Sequence, residues 1–460
     1  MKTLIFLCVL LPLWFAQAAP PNLIVILADD LGWSDLGCYG NTFNETPHLD
    51  RLAREGMRFT QAYAGAVCSP TRANLQSGQD QARFGITQHI PGHRRPFAKL
   101  KDPTVPLQLP LEVETFAERL AASGYQTGYF GKWHLGGDGF GPQEQGWQEA
   151  MELHGNTQSP AVTGSTQTRR TAEFLTEKAV GFIEKHKSQP FLLQVSHCAV
   201  HIPLSTTSEL KAKYEQKTPM AGYPSLPEYA GLLEELDQSV GRIAEAVDRA
   251  GIGPNTLIVF LSDNGGLEHD QSDRIVTSNK PLRGEKGTLY EGGIRVPLIV
   301  RWPGQISAES LCETPVISYD LYPTFMELAA AKSGAKQPQD GLSIAELFKN
   351  PAVELSRDRL HWHLPHYHHS TPASAMRQGD WKLIEFFEDS SVQLFDLASD
   401  PSEQKNLAEQ EPARAKEMRA SLSAWREQVA ARMPVTNPEY DPTRADELAG
   451  KGGNKRQKKP

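Results

Sequence analysis

The sequence has few cysteines, no excess of positive charge and no long apolar run beyond its first 15 residues. Five cysteines in 460 residues are too few and too irregularly spaced for a disulfide framework, although a single bridge such as Cys38–Cys198 stays open. The formal net charge of −8 argues against nucleic acid as a partner. Without a later apolar run of sufficient length, we expect no membrane span.

The N-terminal segment has the layout of a secretory signal peptide. Lys2 precedes an apolar run over residues 4–15, and small residues suited to cleavage follow at Ala18 and Ala19. The run is too short to cross a bilayer as a stable helix. We therefore predict a signal peptide over residues 1–19 and a secreted or periplasmic mature protein.

The texture of the remaining chain divides it into three parts. Residues 20–350 alternate apolar strand-like runs with amphipathic helix-like runs, which predicts a large α/β domain. Residues 351–436 predict a small antiparallel domain, with strands over 375–387 and 392–397 and a helix over Pro412–Met433. Residues 437–460 end in a Gly/Lys/Gln-rich stretch and are predicted to be an extended, disordered basic tail.

Acidic and amide side chains follow two apolar runs that read as buried strands. The first run is followed by Asp29 and Asp30; the second ends at Leu261 and is followed by Asp263 and Asn264. If both strands belong to one sheet, the four side chains converge at its edge. Oxygen donors of this kind favour Ca²⁺ or Mg²⁺ over zinc. A solvated turn explains one such aspartate more readily than two.

The segment VCSPTRANLQSG, beginning at Val67, carries the pattern Cys-x-Pro-x-Arg. Pro70 fits the first turn of a helix, so Cys68 is predicted where a loop becomes a helix. Backbone N–H groups and the helix dipole attract anions there, and Arg72 follows one turn later. Taken alone, the segment is explained equally well by a buried cysteine at a helix start.

Three more segments carry lysine and histidine between glycines or prolines. Lys132 and His134 lie in GKWHLG and, two residues apart on an extended segment, would project to the same side. His201 precedes Ile-Pro after another strand-like run, and Lys286 begins KGTLYEGG. None of these segments is specific to one protein family by itself, but their order along the chain is.

Together these motifs resemble the type I sulfatases, in the family's order over roughly the first three-quarters of the chain. The resemblance implies an alkaline-phosphatase-like mixed-sheet sandwich with a smaller C-terminal antiparallel domain. It also implies a sulfuric ester hydrolase in which a maturation enzyme oxidises the cysteine to formylglycine, whose hydrate is the nucleophile. One Ca²⁺ ion is then expected on Asp29, Asp30, Cys68, Asp263 and Asn264.

The same resemblance assigns the catalytic roles. Arg72 would hold the formylglycine hydrate, Lys132 and Lys286 would bind the sulfate, and His134 would assist its elimination. His201 would contact the sulfate. Whether His201 or Lys286 protonates the departing oxygen stays open.

Two histidine-rich loops, over residues 85–96 and 360–369, predict contacts with the substrate. A solvated loop explains the first equally well, and metal binding is the alternative for the second. The candidate substrate residues are His89, His93, Arg94, His363, His366 and His368. We expect a sulfated glycan, attacked in exo fashion at galactose or N-acetylgalactosamine, since the C-terminal region resembles bacterial sulfatases of that kind. The alternatives are a phosphonate or phosphate monoester hydrolase with the same nucleophile and a non-catalytic glycan-binding protein.

Overall fold

The computed structural model describes residues 19–270, 272–331 and 337–449. Their strands are β1 (Asn22–Ala28), β2 (Met57–Tyr63), β3 (Leu100–Lys101), β4 (Gln126–Gly131), β5 (Glu149–Glu152), β6 (Thr157–Gln158), β7 (Arg169–Arg170), β8 (Phe191–Ser196), β9 (Thr256–Ser262), β10 (Arg295–Arg301), β11 (Ser310–Cys312), β12 (Val316–Ile317), β13 (Arg359–Leu364), β14 (Ala373–Gln378), β15 (Trp381–Phe386), β16 (Val392–Asp396) and β17 (Val435–Thr436). Their α-helices are α1 (Pro47–Arg54), α2 (Cys68–Ser77), α3 (Phe116–Ala122), α4 (Pro160–Thr163), α5 (Thr171–His186), α6 (Ser208–Glu215), α7 (Pro227–Arg249), α8 (Glu291–Ile294), α9 (Leu321–Leu328) and α10 (Pro412–Gln428).

The large domain is built on a mixed sheet with the strand order β11-β2-β10-β9-β1-β8-β4-β5, and β12 pairs with β2 beside β11. β1 lies in the middle and pairs in parallel with β8 and β9. β10 runs antiparallel to both of its neighbours. Every residue of β1 and β9 is buried, as expected for apolar strands covered on both faces.

Helices cover both faces of this sheet. One apolar core contains side chains of α2, α3 and α9, and the other contains side chains of α1, α5 and α7. The long helix α7 presents its apolar residues to the second core at helical spacing. The predicted α/β sandwich is confirmed.

The small domain is a four-stranded antiparallel sheet in the order β13-β14-β15-β16 with α10 packed against it. The predicted single strand over 375–387 is wrong, because a turn at Gly379, with φ of 57°, divides it into β14 and β15. The helix predicted to reach Met433 ends at Gln428, and Ala430 adopts a left-handed φ of 52° shortly after.

The structure describes the two ends of the chain only in part. Residues 1–18 of the predicted signal peptide and residues 450–460 of the predicted tail lie outside the described residues. In the described part of the predicted tail, residues 437–449, most side chains are exposed, and the Asn437 amide donates to the carbonyls of Pro96 (2.9 Å) and Ala98 (2.7 Å). Within the described ranges, we find no helix with the length and apolarity needed to cross a membrane.

Candidate active site

The acidic residues predicted to converge lie together at the carboxyl edge of the sheet. β1 and β9 are adjacent parallel strands, so the segments that follow them meet. The Asp30 N–H donates to Asp263 Oδ1 at 3.2 Å, and Asn264 Nδ2 donates to Asp30 Oδ1 at 2.8 Å. Asp29, which precedes Asp30, is also buried.

Cys68 begins α2, as predicted, and points at these carboxylates. Its Sγ atom lies 3.4 Å from Asp29 Oδ1 and 3.9 Å from Asp30 Oδ1, and the residue is 1% exposed. Burial raises the pKa of the thiol, and the Asp263 carboxylate raises it further, against opposing effects of two lysines. An unmodified Cys68 is therefore a protonated thiol and a poor nucleophile.

Arg72 ties α2 to the strand ends around it. Its Nε and Nη2 atoms donate to Asp263 Oδ2 at 3.0 and 2.7 Å, and Nη1 donates to the Lys132 carbonyl at 2.5 Å. Burial and the nearby Asp29 nevertheless raise the pKa of Asp263 to about 7. The guanidinium thus fixes the helix that carries Cys68 relative to β9 and to the segment after β4.

Two lysines place ammonium groups on the two adjacent aspartates. Lys132 Nζ lies 2.5 Å from Asp29 Oδ2, and Lys286 Nζ lies 2.8 Å from both oxygens of Asp30. Burial alone would lower the pKa of each lysine, but the attraction of its aspartate prevails and raises it. Both ammonium groups therefore stay charged beside Cys68.

His134 lies in a left-handed turn rather than in the extended segment that the sequence predicted. Its φ is 62°. His134 Nε2 contacts the Ile90 carbonyl at 2.6 Å, whereas the buried Nδ1 has no hydrogen-bond partner. Burial and Lys132 lower the pKa of His134 to about 3, so a neutral imidazole faces the site.

Ser69 is a positioning residue that the sequence reasoning missed. Its hydroxyl donates to the His134 carbonyl at 2.9 Å and accepts from the Ile90 N–H at 3.1 Å. It thereby holds both segments that orient the imidazole. The available signal was a hydroxyl placed directly between the cysteine and the proline of the motif.

His201, rather than the nearby His197, faces the carboxylates. His201 Nε2 lies 3.6 Å from Asp30 Oδ2, and a third (33%) of its side chain is exposed. Burial and Lys286 lower its pKa. His197 is buried against the hydroxyl of Ser239.

The residues present fit a bound divalent cation. Ligand atoms of Asp29, Asp30, Cys68 and His201 lie within 4.8 Å of one another. The Asn264 side chain is fully buried, and its Oδ1 atom has no hydrogen-bond partner. Carboxylate and amide oxygens are the donors that Ca²⁺ prefers, whereas imidazole suits other metals. The fifth predicted ligand, Asp263, already accepts bonds from Arg72 and Asp30.

Three of the six candidate substrate residues come together beside the lysines. The ring centroids of His89 and His93 are 4.6 Å apart, and His368 lies 5.5 Å from the first and 5.3 Å from the second. His369, which the sequence reasoning missed, joins them at 4.6 Å from His368. We call these four residues the histidine cluster.

The other candidates lie elsewhere. Arg94 is exposed and, with His93 and His366, lines a cavity of about 450 Å³. His366 is buried against the Thr87 hydroxyl at 2.8 Å. The structure does not bring His363 to the site, because its ring contacts the Ser374 hydroxyl (2.7 Å) and the Arg432 carbonyl (3.0 Å) inside the small domain.

The cysteines show no disulfide in the part of the chain that the structure describes. Cys38, Cys68, Cys198 and Cys312 are all free thiols. The bridge that the sequence left open is therefore absent there, and Cys198 Sγ instead approaches the Leu153 carbonyl at 3.7 Å.

Two family models together cover most of the chain, and several curated proteins match it. Residues 21–331 match the family model described as Sulfatase, and residues 284–429 match N-sulphoglucosamine sulphohydrolase, C-terminal. The chain is 32% identical to a Sulfatase of Formosa agariphila over 88% of each chain. It is 31% identical to human Arylsulfatase A over 85% of this chain and 84% of that one.

A solved structure has the same architecture. The crystal structure of Ps i-CgsB in complex with k-i-k-neocarrahexaose has a TM-score of 0.76 at 27% identity, covering 92% of this chain and 96% of that chain. The chain therefore belongs to the type I sulfatase family and has its alkaline-phosphatase-like fold. It is a sulfuric ester hydrolase.

Proposed function

We propose that this sulfatase is exported to the periplasm or the medium and removes sulfate from a glycan, acting in exo fashion on galactose or N-acetylgalactosamine sulfates. One observation carries the sulfate chemistry: Lys132 and Lys286 hold their ammonium groups on Asp29 and Asp30 directly beside Cys68. A sulfate ester that enters between them meets fixed positive charge without solvent reorganisation.

The glycan assignment rests on two further observations. The cavity lined by His93, Arg94 and His366 has three cationic residues in its wall (Arg94, Arg95 and Lys101) and two acidic ones (Asp102 and Glu439), a mixed polar lining that suits a saccharide. The structural relative described above was solved with an oligosaccharide, k-i-k-neocarrahexaose. Both support a sulfated saccharide over a small aryl ester as the substrate.

Two groups complete the site: formylglycine formed from Cys68 by a maturation enzyme, and one Ca²⁺ ion. Asp29, Asp30 and Asn264 would hold the ion, with Asp263 and residue 68 beside it. Formylglycine would supply a hydrated aldehyde as the nucleophile, and calcium would supply positive charge beside it.

Side chains of this protein carry out the remaining steps of the reaction. Lys132 and Lys286 neutralise the sulfate oxygens, and Arg72 holds the helix that presents residue 68. The free Nδ1 of neutral His134 accepts a proton during release of sulfate. His201 or Lys286 donates a proton to the departing sugar oxygen. A general acid loses its proton, and the rate falls, on the basic limb, so a rate–pH profile of His201→Ala that keeps the basic limb of the wild type would remove His201 from that role.

The decisive measurement is the mass of the tryptic peptide Phe59–Arg72 from protein purified out of its native host. A formylglycine mass at residue 68 would support the proposal. An unmodified cysteine would leave the buried thiol as the sole candidate nucleophile at this position and would favour a glycan-binding protein without turnover.

The substrate assignment has its own test. Sulfate release should be measured on galactose, N-acetylgalactosamine and glucosamine sulfates, as monosaccharides and within longer chains. We expect turnover of the galactose-type sulfates at a chain end. Turnover of glucosamine sulfates alone would reject the sugar, and faster cleavage of phosphate or phosphonate esters would reject the sulfate ester as the preferred substrate.

A further inference from the structure

We propose that Asn279 is a positioning residue for the sulfatase reaction. Its side-chain amide joins the segment after β9 to the loop before Lys286, and thereby fixes the point from which the Lys286 ammonium reaches the sulfate. Asn279 acts through the backbone of these two segments, not on the reacting atoms. The inference rests on the proposed function, in which Lys286 neutralises sulfate oxygens.

The Asn279 side chain is fully buried and bonds only to backbone groups. Its Oδ1 atom accepts from the Gly266 N–H at 2.9 Å. Its Nδ2 atom donates to the Gly266 carbonyl at 2.9 Å and to the Gly284 carbonyl at 3.2 Å. Loss of the amide would therefore leave the Gly266 N–H and the Gly284 carbonyl without these partners, which is costly in a buried place.

The same contacts hold the backbone of Lys286. The Lys286 N–H donates to the Gly266 carbonyl at 3.1 Å, so this carbonyl accepts from both the lysine and Asn279. Gly284, whose carbonyl is the second acceptor of Asn279, lies two residues before Lys286. The lysine backbone is thus fixed before its side chain extends to Asp30, 2.8 Å away.

Glycines allow the segments around Asn279 to approach it closely. A Cβ atom on Gly32 would lie 2.8 Å from Asn279 Oδ1, and one on Gly266 would lie 3.0 Å from the same atom. The Gly266 position would also be 3.1 Å from the Gly32 Cα atom, and Gly32 follows Asp30 by two residues. Asn279 therefore lies where the acidic edge of the sheet meets the loop of Lys286.

The backbone of Asn279 is anchored as well. Its N–H donates to Glu268 Oε1 at 2.8 Å, and its carbonyl accepts from the Leu282 N–H at 3.0 Å. The Glu268 N–H donates in turn to Oε2 of Glu285, the residue before Lys286, at 2.7 Å. A side chain held in this way resists small shifts of the lysine loop, and a shift of about 1 Å in a reacting group can cost about a hundredfold in rate.

The test is a double-mutant cycle between Asn279 and Lys286. Asn279→Leu keeps much of the side-chain volume but removes the amide hydrogen bonds, and should lower kcat about tenfold to a hundredfold because the ammonium is misplaced. In the Lys286→Met background no ammonium is left to position, so the same substitution should lower kcat less than about threefold. Matured enzymes are compared on a galactose-type monosulfate, with and without added Ca²⁺.

Asn22→Leu is the matched control. Asn22 is a second buried asparagine, which bonds the Thr256 hydroxyl and the Phe191 N–H at the amino end of β1. Its replacement should lower the free energy of unfolding but leave kcat unchanged. A loss of kcat equal to that of Asn279→Leu would overturn the proposal, because any damage to the sheet would then slow the reaction.

A second variant covers the case in which Asn279→Leu does not fold. Asn279→Asp has nearly the same shape and keeps an acceptor for the Gly266 N–H. It places an oxygen where Nδ2 faces the carbonyls of Gly266 and Gly284. Its loss of kcat should show the same dependence on Lys286.

The remaining outcomes separate this inference from the proposed function. Equal losses in the wild-type and Lys286→Met backgrounds would overturn the positioning role, as would full activity of Asn279→Leu. Full recovery of Asn279→Leu on addition of Ca²⁺ would also overturn it, because the amide would then act through the metal site alone. Absence of turnover of every sulfate ester by matured wild-type enzyme would overturn the proposed function itself.

Discussion

Two buried clusters of charge in this molecule differ in how far they are exposed to solvent. The catalytic cluster comprises Asp29, Asp30, Asp263, Arg72, Lys132 and Lys286. The interdomain cluster comprises Tyr63 and Glu291 of the large domain and Arg377, Lys382 and Glu403 of the small one. The catalytic cluster reaches the surface, since 11% of the Lys132 side chain and 33% of the neighbouring His201 side chain are exposed.

In the interdomain cluster, three of the four carboxylate oxygens accept a hydrogen bond, whereas Glu403 Oε1 lies near the Lys382 ammonium without one. Lys382 Nζ lies 2.9 Å from one oxygen of Glu291 and 2.9 Å from one oxygen of Glu403. The Tyr63 hydroxyl donates to the second Glu291 oxygen, and the Glu291 N–H donates to the second Glu403 oxygen, both at 2.7 Å. All three charged side chains are fully buried.

Burial of charge alone does not mark a functional site. Structural ion pairs also perturb pKa values. Access distinguishes the cluster that receives ligands from the one that joins two domains, because only the catalytic cluster reaches the surface.

The largest effect is expected when the interdomain cluster loses its only lysine. Lys382→Met leaves Glu291 and Glu403 buried without their shared cation, and should lower the free energy of unfolding by about 3–5 kcal/mol. Denaturant unfolding measures it. Lys405→Met, on an exposed side chain nearby, is the control.

A triple variant tells whether the cost arises from unpaired charge. Lys382→Met combined with Glu291→Gln and Glu403→Gln removes all three charges and should recover much of the lost stability. A triple variant as unstable as the single one would mean that packing, rather than charge pairing, holds the two domains.

The same substitution in the catalytic cluster should affect rate more than folding. Lys286→Met removes an ammonium that faces the sulfate and should lower kcat about 10²–10³-fold. Its control is Lys280→Met, an exposed lysine six residues earlier. A loss of less than threefold would show that Lys286 does not act on the reacting group.

The two clusters differ in how far the sequence alone predicts them. The catalytic cluster was predictable because each member either follows a strand end or belongs to a short motif, and parallel strands bring such ends together. Cys68, Arg72, Lys132 and Lys286 were therefore located by local pattern. The left-handed turn at His134 was not, since nothing in the sequence requires a non-glycine residue there to have φ of 62°.

The interdomain cluster and the histidine cluster could not be predicted in the same way. Glu291 and Lys382 are 91 residues apart and belong to different domains. Their pairing depends on how the small sheet docks on the large one. For the same reason, the sequence marked both histidine loops but could not separate His368, which reaches the site, from His363, which lies inside the small domain.

Removal of calcium from the catalytic cluster should lower the thermal stability of the protein. If the oxygens around Asn264 hold the ion, a chelator should lower Tm, and added Ca²⁺ should restore it. At 100 times Kd the ion contributes about 2.7 kcal/mol. Thermal unfolding with and without chelator measures this, and Asp30→Asn should respond much less. An identical Tm in both conditions would contradict calcium binding at this site.

A pH-dependent effect should come from the interdomain cluster. Burial raises the pKa of Glu403 to about 7; Lys382 opposes the increase, and Glu291 adds to it. Native Glu403 therefore binds a proton that the unfolded chain, with its ordinary value near 4.5, has lost. The stability contribution of this group is then lost as pH rises from about 4.5 to about 7.

The variant Glu403→Gln isolates this contribution, because glutamine does not titrate. Relative to wild type, its free energy of unfolding should rise by about 2 kcal/mol between about pH 5.5 and 7.5. Urea unfolding of both proteins at several pH values measures the difference. A difference that stays constant with pH would place the pKa of Glu403 in its ordinary range.

The smallest effect concerns a single hydroxyl of the interdomain cluster. Tyr63→Phe removes the donor to Glu291 and the acceptor of the Arg377 guanidinium, with little change in volume. Since a hydrogen bond to a charged group contributes about 1.5–3 kcal/mol, we expect a loss near the lower value, because Lys382 still pairs Glu291. Tyr440→Phe, on an exposed ring, is the control. If Tyr63→Phe were neutral, the cluster would tolerate a second carboxylate oxygen without a hydrogen bond, and the tyrosine hydroxyl would not help to hold the two domains together.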